Sequence, residues 1–244
     1  MTEAITNEDL RSEVISAHGG SAWSGTTALS ASVKIGGPFW EFKGQRELFG
    51  REIVSLSTHR ERISLTNGDG RRFEFDNGEN VVRLLDAEGQ ILDHLPSPRE
   101  SFEGYSTAST WSRLQAAYFI SYALWHYLTE PFLFDYPGVE AEEIEPWDEG
   151  GETWRRLQVR YPTSIATHSH LETYYFGADF LQRRMDYSPA INHGADIAHY
   201  THEYRRFGAF LFPTQRRVYP RLPDNSADMT VARITIDVAA ITVE

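Results

Sequence analysis

The chain has no cysteine among its 244 residues. This removes disulfides, thiolate metal sites and cysteine nucleophiles together, and it leaves the redox compartment open, since a cysteine-free chain suits either environment. Positive charge is scarce: 23 Lys and Arg stand against 35 Asp and Glu, a formal charge of −12. A surface of that sign repels phosphate backbones and anionic bilayers, so no nucleic-acid partner is expected. Long apolar runs are missing as well. The most apolar stretch, residues 116–128, includes Ser121 and His126 and is too short for a transmembrane segment. The opening MTEAITNEDLRSEV carries acids where a secretory signal needs a basic and then an apolar region, so a cytoplasmic location is expected. There is no fixed-period repeat, no low-complexity segment and no alternation of strands with helices, which argues against a parallel nucleotide-binding sheet.

Aromatic residues are abundant, at 13% of the chain, and they suit pleated sheets and ring-lined cavities. The length fits one β-rich domain spanning 1–244. Asn7 can cap a helix over 8–18, with Glu8 and Asp9 in its first turn and Gly19-Gly20 as its stop. From Thr27 the period becomes two, with Leu29, Ala31, Val33 and Ile35 on one face. Further strands are expected over 39–49, 53–58, 62–65, 72–76 and 80–86, punctuated by turn signals such as Asn67-Gly68 and Asn77-Gly78. Thr110 can cap an apolar helix over 111–128 that Pro131 ends. It is apolar on most of its circumference and must be covered on more than one side. Residues 135–152 hold eight acids and read as a solvated excursion or edge strand. Six strands then follow at 153–161, 171–176, 180–187, 198–207, 210–219 and 234–243, so that two meanders flank one buried helix.

The N-terminal helix ending in AHGGSAW and running into the strand TALSASVKI resembles the opening of the lipoprotein-carrier-like (LolA/LppX-like) superfamily. The stretch HYTHEYRRFGAFLFPTQRRVYPR followed by RITIDVAAITV is similar to its closing hairpin and last strand. The resemblance covers roughly a third of the chain. It implies an α+β fold in which a large, strongly curved antiparallel β-sheet, a half-barrel, carries the N-terminal helix and the central apolar helix on its concave face. It also implies room there for lipid or another apolar molecule.

Five of the nine histidines lie between His168 and His202. On strands, His168 and His170 would share a face while His199 and His202 would oppose one another, and no HExxH or facial-triad spacing occurs, so no metal is expected. GYSTA at 104–108 lacks the final glycine and the preceding strand of a nucleophile elbow. Arginine pairs at 71/72, 155/156, 183/184, 205/206 and 216/217 send one guanidinium to each side of the sheet wherever they lie squarely on a strand. A covered arginine needs a carboxylate, with Glu172, Asp186, Glu203 and Asp237 as candidates; left unpaired, it becomes an anchor for an anionic head group. The expected partner is a small amphiphilic ligand between the sheet and the central helix, with Trp40, Phe42, Trp111, Tyr118, Tyr122, Trp125, Tyr174, His199, Arg206 and Arg216 as binding residues and no cofactor. Two alternatives use the same frame. One is a cofactor-free enzyme with His199, His202 or Glu203 as general acid or base, and the other is a structural subunit whose concave face is filled by side chains.

Overall fold

The computed structural model describes residues 9–244. Asp9 caps the first helix, α1 (Leu10–His18), by accepting from the Arg11 amide at 3.4 Å. The expected cap Asn7 and the acid Glu8 lie outside the described residues. Gly19 ends α1 at φ 135°, where a Cβ would stand 2.5 Å from the Phe210 ring. Only glycine tolerates both the angle and the contact.

Two antiparallel meanders follow. The first comprises β1 (Ala28–Gly36), β2 (Arg51–Ser57), β3 (Arg62–Thr66), β4 (Arg72–Asp76), β5 (Val81–Leu85) and β6 (Ile91–Pro96). The second comprises β7 (Glu140–Glu149), β8 (Glu152–Arg160), β9 (Leu171–Phe176), β10 (Gln182–Tyr187), β11 (Ile197–Phe207), β12 (Phe210–Pro220) and β13 (Ile234–Val243). All thirteen join in a single curved, unclosed sheet of order β6-β5-β4-β3-β2-β1-β13-β12-β11-β10-β9-β8-β7. The first and last strands thus meet at its centre, paired from Leu29 with Val243 to Gly36 with Thr235, and β6 and β7 are its free edges. Burial alternates as the period of two requires: Leu29, Ala31, Val33 and Ile35 point inward from β1, and Ile234, Ile236 and Val238 from β13. The acidic segment is the edge strand β7, where Glu143 takes a two-pronged hydrogen bond from Arg155. Charge on an exposed edge deters pairing with other chains.

Two expectations fail here. Residues 39–49 form no strand: Phe39–Phe42 is a single helical turn, α2, and Trp40 folds inward to donate from Nε1 to the Gly36 carbonyl at 3.2 Å. The strand β6 was not expected, because Ile91 and Leu92 are exposed on that edge and leave no alternating pattern.

The central helix, α3 (Arg113–Thr129), starts two residues later than the Thr110 cap would set it. Ser112 is the cap and forms a capping box with Gln115, each side chain bonding the other's backbone N–H. Every residue from Leu114 to Thr129 is buried. Removing Ile120, Leu124 and Leu128 from water contributes about 1.5–3 kcal/mol each. Among the described residues, no helix is long and apolar enough to cross a membrane.

Candidate functional site

The helix α3 plugs the concave face and leaves space on two sides of it. Beyond its first turns lies an apolar cavity of about 510 Å³, within the usual small-molecule range of about 300–1,000 Å³. Phe119 enters it from α3, Phe39 and Phe42 from α2, and Val218 and Ile234 from the ends of β12 and β13. Gly37 makes this wall possible: at φ 105°, its missing Cβ would lie 2.4 Å from the Arg233 carbonyl, to which the Phe39 amide donates at 3.0 Å. Lys43 braces the wall from behind. Its ammonium donates to the Thr107 carbonyl at 2.6 Å and Asn192 Oδ1 at 2.8 Å, faces the Trp111 ring at 4.7 Å, and is pulled down to about 8 by burial. Two guanidiniums stand at the mouth. Arg221 is bound to Asn225 and Asp196, while the exposed Arg233 makes no side-chain hydrogen bond or ion pair among the described residues.

Between the ends of α3 the interior is polar and closed. Tyr174 Oη lies 2.7 Å from His126 Nε2, 2.9 Å from Glu172 Oε2 and 2.8 Å from Tyr161 Oη. Arg216 donates to Glu130 and to the Tyr127 carbonyl, both at 3.0 Å. Burial alone would raise the Glu130 carboxyl, but Arg216 and the His126 hydrogen bond hold it below the usual range. Burial pushes Glu172 the other way, upward. His168 is held between Tyr122 at 3.0 Å and Tyr127 at 2.7 Å, and burial drives its pKa well down. A neutral imidazole supplies one donor and one acceptor, which this arrangement uses fully.

On another side of α3, against Tyr118 and Trp125, lies a polar cleft of about 1,430 Å³ formed with the β2–β3 and β4–β5 turns and the β8–β9 loop. Glu61 Oε2 accepts from Asn77 Nδ2 at 2.7 Å and from the Ala166 amide at 2.8 Å; its Oε1 is buried without a partner. Burial, opposed by the Ala166 amide, Arg99 and Asn77, pushes this carboxyl up to about 8. Arg99 donates from Nε to Tyr118 Oη at 3.1 Å and from Nη2 to the Thr167 carbonyl.

The ten residues proposed from sequence are therefore dispersed. Phe42 lines the apolar cavity, and Tyr118 and Trp125 line the polar cleft. Tyr122, Tyr174 and Arg216 belong to the interior network, beside His199, whose ring is fully buried with neither nitrogen partnered. Trp40 and Trp111 pack in the aromatic core around Phe39 and Phe119. Arg206 sits exposed on the β11–β12 hairpin, bonded to the Ala209 carbonyl. His202 and Glu203 are exposed, so they do not converge with His199. His168 and His170 share no face either: both lie in the β8–β9 loop, the first buried and the second exposed. Sequence reasoning missed Phe39, Phe119, Val218, Ile234 and Arg233. The Gly36-Gly37-Pro38 turn and the all-round apolarity of the helix were the available signals for the first two; Arg233 left none.

No protein-family model matches the chain, and no curated protein matches it. Among solved structures it is similar to a LolA superfamily protein from Nitrosomonas europaea, with 7% identity over 90% of this chain and 86% of that one and a TM-score of 0.48. It is also similar to a putative outer membrane lipoprotein-sorting protein domain from Vibrio parahaemolyticus, with 9% identity over 96% and 91% and a TM-score of 0.47. The Mycobacterium tuberculosis lipoprotein LppX aligns at 12% identity over 96% and 93%, with a TM-score of 0.28.

Proposed function

We propose that the protein binds a small anionic amphiphile in the apolar cavity between α3 and the ends of β12 and β13. One observation carries this reading: a ring-lined cavity of about 510 Å³ opens beside a guanidinium, Arg233, that makes no ion pair or side-chain hydrogen bond among the described residues, with Asp228 near enough only to feel its charge. An apolar tail lies on Phe39, Phe119, Val218 and Ile234, and Arg233 receives the head by a charge-assisted hydrogen bond. Phe42 and, on the loop from Arg221 to Arg233, Leu222, Met229 and Val231 are exposed apolar side chains. Phe42 extends the apolar lining of the cavity towards solvent.

Fluorescence titration with cis-parinaric acid tests the reading, alongside native mass spectrometry of the purified protein. Wild type takes up one probe molecule; Val218→Trp fills the cavity and abolishes uptake while the far-ultraviolet spectrum stays unchanged; Arg233→Glu weakens uptake. Equal uptake by wild type and Val218→Trp overturns the assignment.

A further inference from the structure

The apolar cavity holds one polar group that neither an apolar tail nor the head at Arg233 explains. Asn192, only 6% exposed, stands in the cavity wall with Phe39, Phe119 and Val218. Three of its four polar groups are spent. The backbone N–H donates to the Pro189 carbonyl at 2.9 Å, the backbone carbonyl accepts from the Ala195 amide at 3.2 Å, and Oδ1 accepts from Lys43 Nζ at 2.8 Å. Nδ2 makes no hydrogen bond among the described residues, yet unlike the unpartnered nitrogens of His199 it is not sealed from solvent. Lys43 decides which way the amide points. Burial brings its pKa only to about 8, so at pH 7 it is an ammonium, whose other bonds go to the Thr107 and Ser109 carbonyls. An ammonium has donors and no acceptor, so the amide oxygen must face it and the NH₂ must face away.

We propose that Asn192 is the specificity-determining residue of this cavity, donating from Nδ2 to an uncharged oxygen, a ketone or ester carbonyl, on the apolar body of the ligand. This inference rests on the binding role assigned to the cavity above.

The surroundings choose the class. The other polar side chains of the wall are engaged: Thr107 Oγ1 donates to the His193 carbonyl at 2.9 Å, Tyr187 Oη lies 3.2 Å from Tyr127 Oη, and Asp196 accepts from Ser188 and Arg221. Among the described residues, Nδ2 is therefore the side-chain donor that the wall leaves open, apart from the guanidiniums at the mouth. A plain hydrocarbon leaves that N–H unpaired, at a cost. A carboxylate does not suit it either, because one neutral donor does not offset the cost of carrying a charge into an apolar wall, and Arg233 already meets the head. The ammonium on Oδ1 polarises the amide and strengthens the opposite N–H, which favours a strong neutral acceptor such as a carbonyl oxygen.

The test is fluorescence titration of the full chain with Prodan, a naphthalene carrying a propionyl and a dimethylamino group, whose emission moves to longer wavelength when its carbonyl accepts a hydrogen bond. Dimethylaminonaphthalene, the same ring without the carbonyl, is the comparator. Wild type binds one Prodan molecule, and Val218→Trp, which closes the cavity, binds none. Asn192→Asp keeps the bond to Lys43 but offers no donor, and Asn192→Leu removes both. Each variant binds Prodan about three- to tenfold more weakly, with the bound emission at shorter wavelength. Both bind dimethylaminonaphthalene no more weakly than wild type does, and Asn192→Leu keeps its uptake of cis-parinaric acid. Equal Prodan affinity and emission in wild type and both variants overturns the proposal, as does wild type that takes up cis-parinaric acid but not Prodan; either result leaves the binding role of the cavity standing. Loss of every probe in both variants also overturns it, by making Asn192 a support of the wall. Unchanged Prodan uptake in Val218→Trp does the same, by placing the probe elsewhere. Wild type that binds none of the three probes removes the binding role and this inference together.

Discussion

Arg216 on β12 and Glu130 at the end of α3 form an ion pair at 3.0 Å inside the protein, and the guanidinium also lies over the Tyr127 ring, 4.5 Å from its centroid. Both side chains are almost wholly shut from water. This pair fastens the helix to the sheet, and removing the guanidinium leaves the buried Glu130 carboxylate with only its contacts to His126 and Tyr174. Arg216→Met is expected to cost about 3–5 kcal/mol in denaturant unfolding, and the double variant with Glu130→Gln to cost less than the sum of the two single changes. Strictly additive losses would show that the two residues act independently.

His18 sets an acid limit on stability. Its Nδ1 lies 2.8 Å from the Val14 carbonyl, and burial brings its pKa down to about 4. The unfolded imidazole takes up a proton near 6.5 and the folded one only near 4, so the unfolded state binds more protons between these values. Stability therefore falls as pH drops through that window, by up to about 3 kcal/mol. Unfolding midpoints of wild type and His18→Gln, compared across pH, should diverge at about pH 7 and converge towards pH 4.

Glu61 has the opposite sign. Its folded pKa of about 8 exceeds the unfolded value of 4.5, so the folded state binds more protons between them and stability is lost as pH rises. Over that range the loss approaches about 1.4 kcal/mol per pH unit. Glu61→Gln should flatten this slope in the same unfolding experiment; an unchanged slope would mean that the carboxyl is ionised in the fold.

The turn at Gly37 couples backbone to cavity. Alanine there forces φ 105° on a residue with a Cβ that meets the Arg233 carbonyl at 2.4 Å. Gly37→Ala should destabilise the protein by about 1–3 kcal/mol and, because the Phe39 turn must move, weaken cis-parinaric acid uptake. Thermal unfolding and titration on one sample measure both.

Period and punctuation made much of the architecture legible. Leu29 to Ile35 alternated as a half-buried strand must, and the apolar run through α3 could only be an enclosed helix. The reading failed where side chains answer to tertiary contacts. Aromatic density over 39–49 imitated a strand, whereas Trp40 is drawn inward by the core, and Ile91 and Leu92 lie on an edge with no inner face to betray them. Arginine partners were legible in part. Arg184 with Asp186 and Arg217 with Asp237 were foreseeable from strand geometry, but Glu130, the partner of Arg216, comes from a helix end with no sequence relation to β12. The polar cleft escaped notice for the same reason: Glu61, Asn77, Arg99 and Ala166 sit in four separate connections, where no periodicity links them.

The pairing of β1 with β13 has a consequence for biosynthesis. Leu29 finds its partner only when Val243 has been made, so the two meanders remain unjoined until β13 has been synthesised. Closing so long a loop is slow, and in the interval the inner edge of β1 has no β13 to pair with. The seam that holds the half-barrel together is thus the last part of it to exist, and a nascent chain halted before Ile234 should be a substrate for chaperones and proteases that the finished sheet resists.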